Sequence, residues 1–93
     1  MKTYSEFEYE LTERENKDFK HFTEDSIKGI KYIDSLDNQY LLNCIENNNQ
    51  MKKLIKLFPE ETNSSWIKQR VFDKSYDLGI IDTTQFDELT NNN

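Results

Sequence analysis

The chain reads as an all-α protein, a single compact bundle of four to five short helices. Three observations point there. Apolar residues recur mainly at spacings of three and four, helix-start signatures stand directly ahead of the apolar stripes, and Pro59 and Gly79 fall where stripes end.

Taken in order, Thr3 and Glu6 have capping-box spacing, and Tyr4, Phe7 and Leu11 then share one helical face. A helix is expected over this segment. A short N-terminal strand is the minor alternative, because Phe7, Tyr9 and Leu11 alternate with Glu8 and Glu10. The charged stretch from Thr12 to Asp18 is either a break or a second short helix, capped by Thr12 and Glu15 and ending in Phe19 and Phe22. Thr23 is an N-cap, with Glu24 and Asp25 in the first turn, where the helix dipole favours negative charge. Phe22 and Ile27 have the spacing of a hydrophobic staple, and Ile27, Ile30 and Ile33 are expected to face the core. Gly29 weakens this helix by about 1 kcal/mol relative to Ala.

Asp37 repeats the start signal, with Leu36 and Leu41 as its staple and Tyr40, Leu41, Cys44 and Ile45 as the apolar set. A turn is expected within Glu46 to Gln50, because consecutive asparagines compete for backbone hydrogen bonds; a helix running through is the alternative. Met51, Leu54, Ile55 and Phe58 resume the pattern up to the boundary at Pro59. Ser64 or Ser65 caps the next helix, whose stripe is Ile67, Val71, Phe72, Ser75 and Leu78, with Gly79 as its C′ residue. Trp66 precedes the stripe and is expected to be partly exposed. Asp82 and Gln85 form an acidic capping box, stapled by Ile81 and Phe86, for a last short helix that buries Phe86 and Leu89. Thr90 to Asn93 read as a frayed tail, so the domain spans 1–89.

A chain of 93 residues makes one domain near the lower limit of what a single core stabilises. Hydrophobic residues, at 34%, barely exceed charged ones at 32%, so the core must rest on the six Phe, five Tyr and one Trp, which bury more area per side chain than small aliphatics do. The same aromatics argue against a disordered chain. The sequence has no apolar run of bilayer length and no basic-then-apolar leader, and its lone cysteine, Cys44, has no internal partner. A cytoplasmic location is expected, in the host cytoplasm if the chain is phage-encoded.

The net charge of −6 is uneven. Residues 1–26 carry eight acids against four bases, residues 27–58 three against five, and residues 59–93 seven against three. Such a chain is repelled by nucleic acid and by anionic membranes, and attracted to basic protein surfaces.

Little in the sequence looks like an active centre. His21 and Cys44, the sole histidine and cysteine, show no spacing that would pair them as base and nucleophile; a surface imidazole and a small core hydrophobe account for both. Two such ligands are too few for zinc, the acids around Asp73 to Glu88 lack the spacing of a calcium loop, and two glycines cannot build a phosphate-cradling loop. No catalytic, cofactor-binding or metal residue and no cofactor is expected, and the chain is expected not to be an enzyme. Lys52, Lys53 and Lys56 form a small basic cluster, which without arginine is a weak nucleic-acid signal.

The acidic N-terminal run carries the functional expectation. Glu6, Glu8, Glu10, Glu13, Glu15 and Asp18 are interleaved with Tyr4, Phe7 and Tyr9. Carboxylates spaced along a rigid helix can imitate a row of phosphates, and tyrosines add amphipathic contact area; an ordinary solvated face is the competing reading. Glu6, Glu8, Tyr9, Glu10, Glu13 and Glu15 are therefore the candidate protein-binding residues. The expected function is a small acidic inhibitor that blocks a basic, nucleic-acid-handling protein such as a nuclease, in the manner of a nucleic-acid mimic. Phage or mobile-element counter-defence, of the anti-CRISPR or anti-restriction type, is the natural setting. The alternatives are an immunity protein neutralising a toxin nuclease and a phage structural or assembly protein.

Overall fold

Side chains that cap their own backbone set most of the helix starts. In the computed structural model, which describes residues 3–58 and 65–91, the chain forms α1 (Glu13–Asp18), α2 (Glu24–Asp34), α3 (Asn38–Glu46), α4 (Asn48–Ile55), α5 (Ser65–Asp77) and α6 (Thr83–Asn91). The all-α architecture is as expected, with six helices rather than four to five among the described residues. Thr12 and Glu15 close a reciprocal capping box on α1, Thr23 accepts from the Ser26 N–H ahead of α2, and Asp37 accepts from the Tyr40 N–H ahead of α3. Before α6, the Gln85 N–H donates to Asp82 Oδ1 at 2.8 Å, and the Asp82 N–H donates to Gln85 Oε1 at 3.2 Å.

The asparagine run breaks the chain at one residue. Asn47 ends α3 and caps α4 in extended conformation (φ −134°, ψ 108°), with its side chain accepting from the Asn49 N–H. The break thus comes from side-chain capping, not from left-handed backbone. Ser65 is the first residue of α5, while Pro59 and Ser64, read above as a boundary and a cap, lie outside the described residues, as do Asn92 and Asn93.

α5 is the central helix, packed against α2, α3 and α6, and α3 packs on α4. Its stripe buries Ile67, Val71, Phe72 and Ser75. Leu78 departs from the expectation and is 44% exposed. The helix stops at Asp77, and a Schellman turn reverses the chain: the Gly79 N–H donates to the Tyr76 carbonyl, and the Ile80 N–H to the Ser75 carbonyl. Gly79 takes φ 75°, and Ile81, 3% exposed, enters the core in place of Leu78. α6 includes Thr90 and Asn91, read above as part of a frayed tail, and the Thr90 hydroxyl donates to the Phe86 carbonyl.

Two further departures concern α2. Ile27 and Ile33 are buried as expected, but Ile30 is half-buried, and Tyr32, at 1% exposed, is among the largest fully buried side chains. Gly29 is there for packing. A Cβ at this position would lie 2.7 Å from Trp66 Cη2 and 3.1 Å from Phe58 Cε1, so the missing methyl is the space that the half-buried indole occupies. Two ion pairs tie helices together: Arg70 of α5 grips Asp34 of α2 through two bonds of 2.8 and 2.6 Å, and Lys31 of α2 pairs with Glu15 of α1. The Cα radius of gyration, 13.2 Å, lies near the roughly 12 Å of a compact domain of this length and far from the roughly 30 Å of an unfolded chain, so the N-terminal segment is packed down.

Candidate functional site

The N-terminal segment is neither the helix nor the sheet strand weighed from the sequence. Tyr4 to Glu6 form a turn, and Phe7 to Leu11 run without regular secondary structure. Thr3 Oγ1 pairs with Ser5 Oγ instead of closing a box with Glu6. Aromatic packing decides this. The Tyr4 ring meets Tyr32 at 5.5 Å (72°) and Phe58 at 5.1 Å (59°), and the Phe7 ring meets Tyr32 edge-on at 5.3 Å. Phe7 and Tyr9 then lie nearly parallel, 6.2 Å apart. Residues two apart sit on one side of an extended chain, whereas a helix would place Tyr9 about 200° around from Phe7. At about 0.5–1.5 kcal/mol each beyond buried area, the three ring pairs with Tyr32 and Phe58 together outweigh one cap, worth about 1 kcal/mol.

The consequence is alternation. Phe7, Tyr9 and Leu11 turn inward and are half-buried, while Glu6, Glu8 and Glu10 are exposed. Glu6 stands in the turn, and Glu8 and Glu10 follow on the exposed side of the segment. Glu13 follows, exposed in the first turn of α1. Glu15 differs: it accepts from the Thr12 N–H at 3.0 Å and pairs with Lys31, and these partners, Lys31 foremost, hold its carboxyl below the ordinary range. Its charge is engaged in the fold.

Two acids absent from the sequence-based set join the others. Glu24 and Asp25, from the first turn of α2, line an open cleft of about 510 Å³ with Glu8, Phe7, Tyr9 and Lys28. The Tyr4 phenol pKa is raised, first by burial and then by the charge of Asp25, a carboxylate that shares the cleft with Phe7, Glu8 and Tyr9. Lys28 is the counter-charge on this face, its ammonium 4.6 Å from the centre of the Tyr4 ring. Glu24 and Asp25 read as helix-dipole partners from sequence; only the crossing of the segment over α2 brings them to Glu8, and the excess of acids in residues 1–26 was their one trace. The arrangement is a set of exposed carboxylates held over a fixed aromatic base, suited to lysine and arginine side chains.

The remaining candidates are placed elsewhere. Cys44 is 1% exposed in the core, and burial pushes its thiol up to about 11, while His21 is exposed on the turn between α1 and α2. Lys52 and Lys53 stand in the last turn of α4 with Lys56 as its C-cap, where cations offset the negative end of the dipole. Among the described residues, no three carboxylate, thiol or imidazole groups converge to hold a metal ion, and no helix is long and apolar enough to cross a membrane. Comparison with protein-family models, with curated proteins and with solved structures finds no match.

Proposed function

We propose that this is a protein-binding inhibitor whose N-terminal face blocks a basic, nucleic-acid-handling protein, as in phage or mobile-element counter-defence of the anti-CRISPR or anti-restriction type. One observation carries the reading. Glu6, Glu8, Glu10 and Glu13 stand exposed on a segment whose alternate residues are half-buried, with Glu24 and Asp25 adjoining Glu8. The mimicry differs in form from a charged helix: Glu8 and Glu10 alternate with half-buried side chains along an irregular segment. Pre-ordering of the arm by its rings lowers the entropic cost of binding.

Capture of partners from the native host tests the reading. The captured protein should bind nucleic acid, and an oligonucleotide should compete with its capture. Reversing Glu8, Glu10 and Glu13 to Lys should abolish capture, since like charges across an interface cost several kcal/mol. Reversing Glu46, Asp87 and Glu88, exposed on α3 and α6, changes net charge equally and should leave it largely intact. Unchanged capture by the first variant, with its circular dichroism intact, would remove the proposal.

A further inference from the structure

A second surface lies beside the same helix start. Phe22, Ile30 and Trp66 line a cleft of about 280 Å³ between α2 and α5, rimmed by Gln69, Arg70 and Asp73. Phe22 is 47% exposed, the largest such value among the exposed large hydrophobic residues described, and its ring lies 5.3 Å from that of Phe19. Ile30 and Trp66 are half-buried. An aromatic pair flanking an aliphatic side chain, with arginine at the edge, is the composition that dominates binding energy at protein interfaces.

The rim decides what fits there. Arg70 is engaged by Asp34 through both bonds of its fork, so it is not a free cation for a ligand carboxylate. The Asp34 hydrogen bond is the main reason the guanidinium pKa is raised, and Asp73 and Asp77 lie close enough to add to it. Asp34 thus neutralises Arg70, and Asp73 is the remaining charge among the side chains that line the cleft, so the rim is negative. Asp73 Oδ1 accepts from Gln69 at 2.9 Å, which fixes that carboxylate at the groove edge.

We infer that the Phe22–Ile30–Trp66 groove is the anchoring pocket for a basic protein segment that presents one large apolar side chain next to lysine or arginine. The inference rests on the proposed binding role and names the chemistry of the segment bound. Phe22 and Ser26 line this groove while Glu24, Asp25 and Lys28 line the acidic cleft, so the start of α2 has one binding surface on each side. A basic partner crossing α2 meets the carboxylates and the groove together.

Trp66 is the sole tryptophan and reports on the groove directly. The probe is a synthetic amphipathic Leu/Lys peptide, compared with one carrying Ala for Leu and one carrying Glu for Lys. The Leu/Lys peptide should shift Trp66 emission saturably, the Ala/Lys peptide should leave emission unmoved, and the Leu/Glu peptide should not bind. Phe22→Ala should weaken the Leu/Lys peptide about tenfold or more. Ser26→Phe, which fills the groove instead of emptying it, should do the same, and Asp73→Lys should weaken the peptide further, each variant retaining helical circular dichroism. Reversal of Glu8, Glu10 and Glu13 should leave the saturated emission shift in place. Wild-type affinity in Phe22→Ala and Ser26→Phe, or an unmoved Trp66 with bound Leu/Lys peptide, overturns the inference. The proposed function is judged separately, by the effect of the N-terminal reversal on the native partner.

Discussion

Gly29→Ala sets helix propensity against packing, and the structure gives the terms for deciding between them. Replacing a helical glycine by alanine gains about 1 kcal/mol in helix propensity. The new methyl, however, would stand 2.7 Å from Trp66 Cη2 and 3.1 Å from Phe58 Cε1, where carbon atoms prefer about 3.5–4.0 Å. Cη2 is the far end of the indole, so relief requires the ring tip to withdraw by close to an ångström. That ring meets Phe58 at 5.5 Å, and Phe58 in turn meets Tyr4 and Tyr32, so the displacement passes along the aromatic chain that holds the N-terminal segment. Overpacking of this kind costs about 1–3 kcal/mol, and a chain of rings under one methyl belongs in the upper half of that range. The expected result is a net loss of about 1 kcal/mol, or roughly 4–8 °C in melting temperature. Urea unfolding and a thermal melt, both followed by Trp66 fluorescence, measure the two quantities, and the native emission should shift as the indole moves. A variant that melts above wild type with unchanged emission would show that the space beside Gly29 has slack and that propensity wins.

Gly79→Ala should cost about 1–2 kcal/mol by thermal melting although no atom lies within 4 Å of its Cβ, because φ 75° is left-handed backbone; Gly79→Asn should recover part of the loss. Phe72→Ala removes a ring 5% exposed in the central helix, and at about 3–5 kcal/mol should leave little helical circular dichroism at room temperature; a melt within a few degrees of wild type would contradict its place in the core. Ser75→Ala should raise the urea midpoint, since the Ser75 hydroxyl is fully buried with no hydrogen-bond partner among the described residues, and removing it relieves about 1–3 kcal/mol of uncompensated desolvation. Cys44 makes stability fall on the alkaline side. Its thiol is raised from 9.0 to about 11, so the folded state holds the proton longer, and its contribution, intact below pH 9, is lost as pH rises toward 11, at up to about 1.4 kcal/mol per unit. Cys44→Ala should flatten the slope of stability against pH above pH 9, while the Tyr4, Tyr32 and Tyr40 phenols, each raised from 10.0 by burial first, add a decline of their own from pH 10 upward.

What was legible in the sequence was local. Caps act over three residues, so Thr12 with Glu15, Thr23, Asp37 and Asp82 with Gln85 could be read directly, and each does in the structure what its spacing implies. What was not legible depends on residues far apart in the chain. Thr3 and Glu6 carry the same local pattern, yet Tyr4 and Phe7 find Tyr32, more than twenty residues on, and that packing overrides the box. Gly29 read as a weakness because its neighbour Trp66 lies on another helix. Phe22 read as a staple, but the groove that leaves it exposed is made by α5. The candidate site divides the same way. Exposure of Glu6, Glu8, Glu10 and Glu13 follows from composition, whereas the diversion of Glu15 to Lys31 and the arrival of Glu24 and Asp25 follow from the crossing of α1 and the N-terminal segment over α2.

The two surfaces beside α2 would contribute to binding in different ways. Exposed carboxylates act over about 8–10 Å at ordinary ionic strength, so the N-terminal arm, on the proposed reading, governs how fast a basic partner arrives and at what salt it ceases to. A groove formed by Phe22, Ile30 and Trp66 acts only at contact and is not screened, so it governs how long the partner stays. Reversal of Glu8, Glu10 and Glu13 should therefore lower the association rate and flatten or invert its salt dependence, since salt screens repulsion as it screens attraction, while Phe22→Ala should raise the dissociation rate at every salt concentration. The arm's aromatic base does meet the groove, through the Phe58–Trp66 contact, but neither the exposed carboxylates of Glu8, Glu10 and Glu13 nor the Phe22 ring takes part in that contact. Double reversal-and-truncation variants should consequently show nearly additive losses; strong coupling between the two would mean that the arm and the groove grip the same side chain of the partner.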